Sequence, residues 1–238
     1  MSMDSDQLRH ISLQLGKQEA LLREGLYVAL AKAVDDCGIE TRCCRVLDAG
    51  VGRGELLQRL QMRGYVTHGI DMELDCVVTA SRFGDCRQGG IGDIARVFPG
   101  IGFDVIVCSH VLEHVDSPSF ALKSFAELSA KAYVFAVPNP LRPIRVMRAL
   151  FHSRAADHPE HVYAWGHAEF SALLQRCGFA IDAWYADRVT INPLHGRLGH
   201  ILTRLLNPLE TRLLPRLFPM LASSLIVRCH LAYRDLKA

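Results

Sequence analysis

The chain opens with apolar residues at helical spacing: Leu8, Ile11 and Leu15, then Leu22, Leu26, Leu30 and Val34. Recurrence every three to four positions predicts one or two amphipathic helices across residues 7–36, ending near Gly38. From Arg45 the pattern changes. Short apolar runs alternate with helical spacing, so strands are expected at 45–49, 65–70, 86–89, 103–108, 132–137, 180–187 and 224–233. Helices are expected at 54–62, 73–81, 118–129, 141–151 and 167–177. Strand–helix alternation predicts a mostly parallel sheet covered on both faces. Between the last two strands there is one irregular segment, 192–222.

The turn after the first strand carries the most chemistry. Residues 45–55 read R-V-L-D-A-G-V-G-R-G-E: an apolar run, an acid, a glycine-rich turn and a helix start. Glycines let the backbone approach a ligand closely, and a helix start offers unbonded N–H groups. A dinucleotide fingerprint, G-x-G-x-x-G, would need glycine at position 55. The chain has Glu55 there and Gly54 one step earlier. A carboxylate at that place sits poorly against a pyrophosphate. It suits a ligand without phosphates that carries positive charge or hydroxyls.

Composition narrows the classes. The 238 residues are 50% hydrophobic, enough for one sizeable core. A formal charge of +2 gives little support for a nucleic-acid track. Eight cysteines without C-x-x-C spacing, and a polar, acidic stretch from Met1 to Arg9 in place of an export signal, suggest reduced thiols in the cytoplasm. No uncharged run reaches the roughly 18 residues of a membrane span.

In a parallel sheet the ligand lies beyond the carboxyl ends of the strands, near the point where strand order reverses. The residues there are Asp48 to Gly54 after the first strand and Asp71 after the second. Gly92-Asp93-Ile94 follow the third, and Ser109-His110-Val111-Leu112-Glu113-His114 the fourth. Asp71 can accept from ribose hydroxyls, and Asp93 from an adenine amino group. The motifs V-L-D-A-G-V-G-R-G-E, G-I-D-M, G-D-I, F-D-V-I-V-C-S-H-V-L-E-H-V and H-A-E-F-S-A-L-L-Q-R-C-G-F stand in order. Together they resemble the class I S-adenosylmethionine-dependent methyltransferases, within the type 11/12 methyltransferase domain group, over about residues 43–187.

The resemblance implies an α/β fold with a Rossmann-like, seven-stranded, mostly parallel sheet whose last strand is antiparallel. The expected organisation is an N-terminal helical cap over 1–40 and a methyltransferase domain over 41–238, with a helical insertion at 192–222 before the last strand. S-adenosylmethionine is the implied cofactor, with S-adenosylhomocysteine as product. Gly50, Gly52 and Gly54 would pack on its methionyl part, and Asp48 would support the loop or the ammonium. Asp71 would bind the ribose, with Met72 against the adenine. Asp93 and Ile94 would hold the adenine edge, and Ser109 and His110 would border the sulfonium and acceptor.

His110-Val-Leu-Glu113-His114 also spells H-x-x-E-H, a zinc-peptidase pattern. That pattern needs both histidines on one helix face and a distant third ligand, whereas here it follows a buried strand directly. No residue is assigned to a metal. Methyl transfer to a hydroxyl needs a base, and histidine has the matching pKa range, which nominates His110. His161 and Tyr163, in a loop before a helix, are the other expected contacts to the acceptor. Glu113 and His114 read as structural.

Segment 192–222 is rich in leucine, carries Arg197, Arg204, Arg212 and Arg216, and has Glu210 as its one acid. Pro208, Pro215 and Pro219 are expected to break it into short helices. It reads as core packing or a lid, with a dimer surface or a peripheral membrane contact as the other uses. The expected activity is methylation of a small-molecule or lipid-like acceptor at oxygen, by a monomer or homodimer in the cytoplasm or at a membrane surface. Two other classes compete: a non-catalytic S-adenosylmethionine-binding partner protein, and a metal-dependent RNA 2′-O-methyltransferase. Weak net charge counts against nucleic acid.

Overall fold

The computed structural model describes residues 23–151, 162–192 and 196–232. Seven strands form one sheet: β1 (Arg45–Ala49), β2 (Val66–Asp71), β3 (Asp85–Gln88), β4 (Val105–Ser109), β5 (Ala132–Pro138), β6 (Phe179–Tyr185) and β7 (Ser224–Leu231). Their order is β3-β2-β1-β4-β5-β7-β6. The pairs from β3 to β5 are parallel, and β7 runs antiparallel between β5 and β6. This is the Rossmann-like arrangement that the motifs imply.

Each strand lies within a few residues of its expected place. β2 runs on to Asp71 because its carbonyl still accepts from Gly89 N at 2.9 Å, so this acid belongs to the ladder itself. The helices are α1 (23–35), α2 (Glu55–Gln61), α3 (Leu74–Ala80), α4 (Ile94–Val97), α5 (Pro118–Glu127), α6 (Pro143–Leu150), α7 (His167–Arg176), α8 (Gly196–Pro208) and α9 (Leu214–Leu217). Of the N-terminal cap, residues 1–22 lie outside the described residues.

Alternation along the strands divides the core in two. Leu47, Ile106, Phe135 and Val227 face α5 and α7, meeting Leu122, Phe125, Phe170 and Leu174. Val46, Val105, Val107, Val134 and Ile226 face the other way, onto Leu26, Leu30 and Val34 of α1 and Leu56 and Leu60 of α2. Burying each such leucine contributes about 1.5–3 kcal/mol. The amphipathic pattern of 23–35 is therefore one cover of the central sheet, and it brings α1 over the ends of β1 and β4.

The insertion departs from expectation at Pro208. The chain does not break there. Pro208 keeps helical angles, and the next five residues, Leu209–Leu213, form a π-turn that accommodates the bond proline cannot make. Pro215 falls in the first turn of α9 and Pro219 starts a 3₁₀ turn, where a missing N–H costs little.

Glu210, inside the π-turn, is fully buried and pairs with Arg188, itself buried. Its Oε1 accepts from Ile191 N at 2.8 Å and Asn192 N at 3.2 Å. Asn192 Nδ2 donates in turn to Gly199 O and to Thr203 Oγ1, each at 2.9 Å. Desolvating two charges is costly, and these extra bonds are what offset it. The lone acid of a basic, leucine-rich segment is thus its anchor.

Glu210→Ala would remove the carboxylate that pairs with the buried Arg188. It should destabilise the fold by about 3–5 kcal/mol in urea denaturation; a loss below about 1 kcal/mol would contradict the anchor.

Candidate functional site

Strand order reverses between β1 and β4, and their carboxyl ends open into a cavity of about 540 Å³. Asp48, Gly50 and Gly52 line it from the β1 turn, and Ser109 and His110 from β4. Arg23, Leu26, Tyr27 and Leu30 of α1 close the opposite side. The sequence pattern located the first five. The helical cap expected over 1–40 supplies the last four, although amphipathic spacing alone does not say which of its side chains face the cavity.

The turn is held by its backbone. Gly50 sits at φ 86° and donates to Ile70 O at 2.9 Å. A Cβ there would stand 2.2 Å from Val111 Cγ2, so β1 and the loop after β4 touch only through glycine. Gly52, at φ 53°, differs: a Cβ would meet nothing within 4 Å, although the residue lines the cavity. Gly54 allows α3 to approach, with Ala80 Cα 2.9 Å from where its Cβ would be.

Asp71 fixes this turn. Its Oδ2 accepts from Gly52 N at 2.9 Å and its Oδ1 from Glu73 N at 3.0 Å. Each oxygen keeps lone-pair capacity for a second donor. Asp48 lies deeper, only 4% exposed. Burial, then the nearby Asp71 and Glu55 carboxylates, push its carboxyl up to about 8. A neutral acid at the floor of a polar cavity is poised to ionise when a cation enters. Tyr27 is raised by burial first and then by Glu55. Ser109 Oγ is buried with no hydrogen-bond partner, a polar group left for a ligand.

His110 has the left-handed angle φ 55°, a conformation that costs a non-glycine residue about 1–2 kcal/mol. Its backbone N–H reaches Ala136 O on β5 at 2.9 Å. The ring lies between two acids: Nε2 is 3.1 Å from Ser224 Oγ, which donates to Asp187 Oδ2 at 2.9 Å, and Nδ1 is 3.4 Å from Glu113 Oε1. Glu113 is fully buried, neither oxygen has a hydrogen-bond partner among the described residues, and burial pushes it up to about 7. His114 also lines the cavity, with Nε2 4.0 Å from the same oxygen. Ser224 and Asp187 escaped sequence analysis, since no local pattern links β7 or the end of β6 to His110.

The remaining expected residues are not among those lining this cavity. Met72 is 75% exposed beyond β2, and Ile94 is buried in the core. Asp93 accepts from Gly90 N at 3.2 Å and pairs with Arg96 at 2.9 Å. Tyr163 donates to Asp116 O at 2.8 Å and stacks on Trp165, with ring centres 5.4 Å apart. Val162 N donates to Glu113 O at 3.0 Å, so this strap docks on the loop after β4. His161 lies outside the described residues.

A family model described as a methyltransferase domain matches residues 12–183. A ubiquinone biosynthesis O-methyltransferase of Dechloromonas aromatica (strain RCB) is 31% identical over 115 residues, 39% of this chain and 49% of that protein. The protein of the same name from Azotobacter vinelandii is 27% identical over 180 residues, 65% and 72% of the two chains. The chain spans about half the length of the first curated relatives it matches. Among solved structures, magnesium protoporphyrin IX methyltransferase from Synechocystis PCC 6803 with bound SAH superposes at TM-score 0.57 and 16% identity, covering 96% of this chain and 88% of that one. A putative methyltransferase in complex with the Trm112 activator, from Haloferax volcanii, gives 0.63 at 15% identity, with 91% and 94% covered. These structures share the fold.

The two glycines should respond differently to substitution. Gly52→Ala should cost the unliganded fold only about 1–2 kcal/mol, yet weaken binding of S-adenosylmethionine about tenfold or more, because its methyl stands in the cavity. Gly50→Ala should lower the melting temperature strongly through its clash with Val111. Unchanged cofactor affinity in Gly52→Ala, measured by calorimetry, would place the ligand elsewhere.

Proposed function

The chain belongs to the methyltransferase-domain family, and we propose that it methylates a hydroxyl of a small-molecule or lipid-like acceptor with S-adenosylmethionine as donor. The observation that carries this reading is His110: an imidazole in a strained backbone conformation, bordering the cavity at the end of β4. Strain of this kind persists where the surrounding structure enforces it, and it clusters at reacting centres. The relatives named O-methyltransferases, at about 30% identity, agree with an oxygen acceptor.

The cavity suits the cofactor. It combines an unbonded buried hydroxyl at Ser109, open space over Gly52 and a buried acid at Asp48. In our assignment Gly50, Gly52 and Gly54 bound the methionyl part and Asp48 meets the ammonium. Asp71, Met72, Asp93 and Ile94 serve the ribose and adenine. S-adenosylmethionine supplies an electrophilic methyl group, whose bond to sulfur breaks as the bond to the acceptor oxygen forms. The protein positions the acceptor and takes up its proton at His110. Tyr163, in the strap, is assigned to the acceptor side, and His161, outside the described residues, is assigned an acceptor contact. Residues 1–40 act as a cap, 41–238 as the catalytic domain and 192–222 as an insertion.

The insertion supports a lipid-like acceptor. Leu198, Ile201, Leu205, Leu213, Leu217, Phe218 and Met220 are exposed, and Arg204, Arg212 and Arg216 stand exposed among them. Glu210, the only acid of residues 196–222, is buried. A basic, apolar face suits an anionic lipid surface reached from the cytoplasm. No described helix is long and apolar enough to cross a membrane.

Incubation with methyl-labelled cofactor and a panel of phenols, including prenylated ones, should yield a labelled ether. Label on nitrogen, on RNA or nowhere would overturn the reading. His110→Ala should slow turnover about 10²-fold or more with cofactor affinity kept; normal turnover would reduce His110 to a wall of the pocket. Asp71→Ala should weaken cofactor binding by about 1–3 kcal/mol, and unchanged affinity would remove the ribose assignment.

A further inference from the structure

Helix α1 has two faces, and each lines a cavity. Arg23, Leu26, Tyr27 and Leu30 close the cavity at the ends of β1 and β4. Gly25, Val28, Ala29 and Lys32 line a second cavity, of about 520 Å³. Both sets repeat every three or four positions, so one helix is the partition between the two spaces. The insertion supplies the facing wall through Thr211, Arg212, Pro215 and Arg216, and residues 184–187, at the end of β6 and just beyond it, complete the lining. A space of this size suits a small ligand.

The charges around this second cavity do not balance. Lys32 pairs with Asp36 at 2.7 Å, and Glu24 pairs with Arg59. Asp187 accepts from Ser224 N at 3.2 Å and from the Ser224 hydroxyl at 2.9 Å. Arg212 and Arg216, both exposed, make no hydrogen bond or ion pair among the described residues. The backbone that carries Arg212 is fixed, because Glu210 in the same π-turn is tied to Arg188, Ile191 N and Asn192 N. The lining beside the two guanidiniums is apolar at Val28, Ala29, Ala186 and Pro215. Beyond the cavity the same segment exposes Leu213, Leu217 and Phe218. A ligand that meets all of this has an anionic end and an apolar body.

We infer that the second cavity holds the headgroup of one anionic phospholipid of a bilayer surface, with Arg212 and Arg216 on its phosphate and Val28, Ala29 and Pro215 against the adjoining glycerol and first chain carbons. The inference rests on the reading of the insertion as a lipid-facing surface and adds the place where a single lipid is held. Guanidinium forks match phosphate oxygens in pairs. A zwitterionic headgroup fits less well, because its ammonium needs a carboxylate and both carboxylates of the lining are already bonded. Inorganic phosphate would leave the apolar wall uncovered. Leu213, Leu217 and Phe218 then enter the interfacial layer beside the bound lipid, as the apolar face of a peripheral segment does. Helix α1 has the lipid against one face and the cavity at the ends of β1 and β4 against the other.

The test combines calorimetric titration of the full chain with dihexanoyl phosphatidylglycerol, kept below its micelle concentration, and flotation on vesicles of phosphatidylglycerol and phosphatidylcholine in equal parts. The monomeric anionic lipid should bind one per chain, and dihexanoyl phosphatidylcholine or inorganic phosphate about tenfold more weakly or worse. Arg212→Glu combined with Arg216→Glu should weaken lipid binding about tenfold or more and release the chain from vesicles. Val28→Trp fills the cavity without changing charge, so it should abolish binding of the monomeric lipid. Both variants should keep their melting temperature and their affinity for S-adenosylmethionine. Equal binding of the two short-chain lipids, or anionic-lipid binding intact in Val28→Trp, overturns the inference. So does a dimer that Val28→Trp dissociates with no lipid bound, which gives the cavity to a second copy of the chain. Vesicle binding without any binding of the monomeric lipid overturns the cavity alone, whereas no vesicle binding by wild type overturns the lipid-facing reading of the insertion. Neither readout depends on turnover, so a failed methylation assay is a separate result.

Discussion

The carboxyl of Asp48 is the constraint around which the site is organised. It lies at the end of β1, almost without access to water, and it shares that region with Asp71 and Glu55. Three acids round one glycine turn repel one another. The turn tolerates them because Asp71 is spent on backbone N–H groups of Gly52 and Glu73, and because burial keeps Asp48 protonated. A phosphate would make this arrangement worse, whereas a ligand carrying ammonium and sulfonium charge would relieve it. Electrostatics thus selects the class of ligand before shape is considered.

Much of the fold was legible because each device is local. The run at 132–137 carries no charge, and those at 45–49 and 103–108 are apolar apart from Arg45, Asp48 and Asp104, the pattern of a doubly covered strand. The turn at 48–54 announces itself by an acid and three alternating glycines. Asp71 was placed at the end of a strand and proved to be inside it, since a single acid cannot report where backbone pairing stops. The cavity walls from α1 are a different matter. Leu26 and Leu30 have the same spacing whether a helix faces the middle of a sheet or its ligand-binding edge.

The least legible parts depend on long separations. His110 and Ser224 are 114 residues apart, and no periodicity connects them. Glu210 was visible as the lone acid of a basic segment. Its partner, Arg188, could not be recognised without knowing that the end of β6 runs beneath the insertion. The π-turn after Pro208 shows the same limit, because a proline marks a missing donor without telling whether the chain breaks or widens. In each case a buried polar group, expensive to leave unpaired, dictates the local path of the chain. These groups also join the insertion and β7 to His110: Arg188 next to Asp187 pairs with Glu210 of the insertion, and Asp187 holds Ser224, which lies beside His110.

On the proposed reading the cavity takes a cation and holds the matching negative charge as a neutral acid. The folded carboxyl of Asp48 is raised to about 8, so near neutral pH it carries its proton in the free protein. A cationic ligand beside it favours ionisation, so binding must release that proton. The direct measurement is calorimetric titration of S-adenosylmethionine at pH 7 in two buffers of different ionisation enthalpy. Release of close to one proton per cofactor bound is expected, with affinity rising as pH approaches 8 and the release lost in Asp48→Asn. Binding with no proton exchange, or with proton uptake, would contradict it.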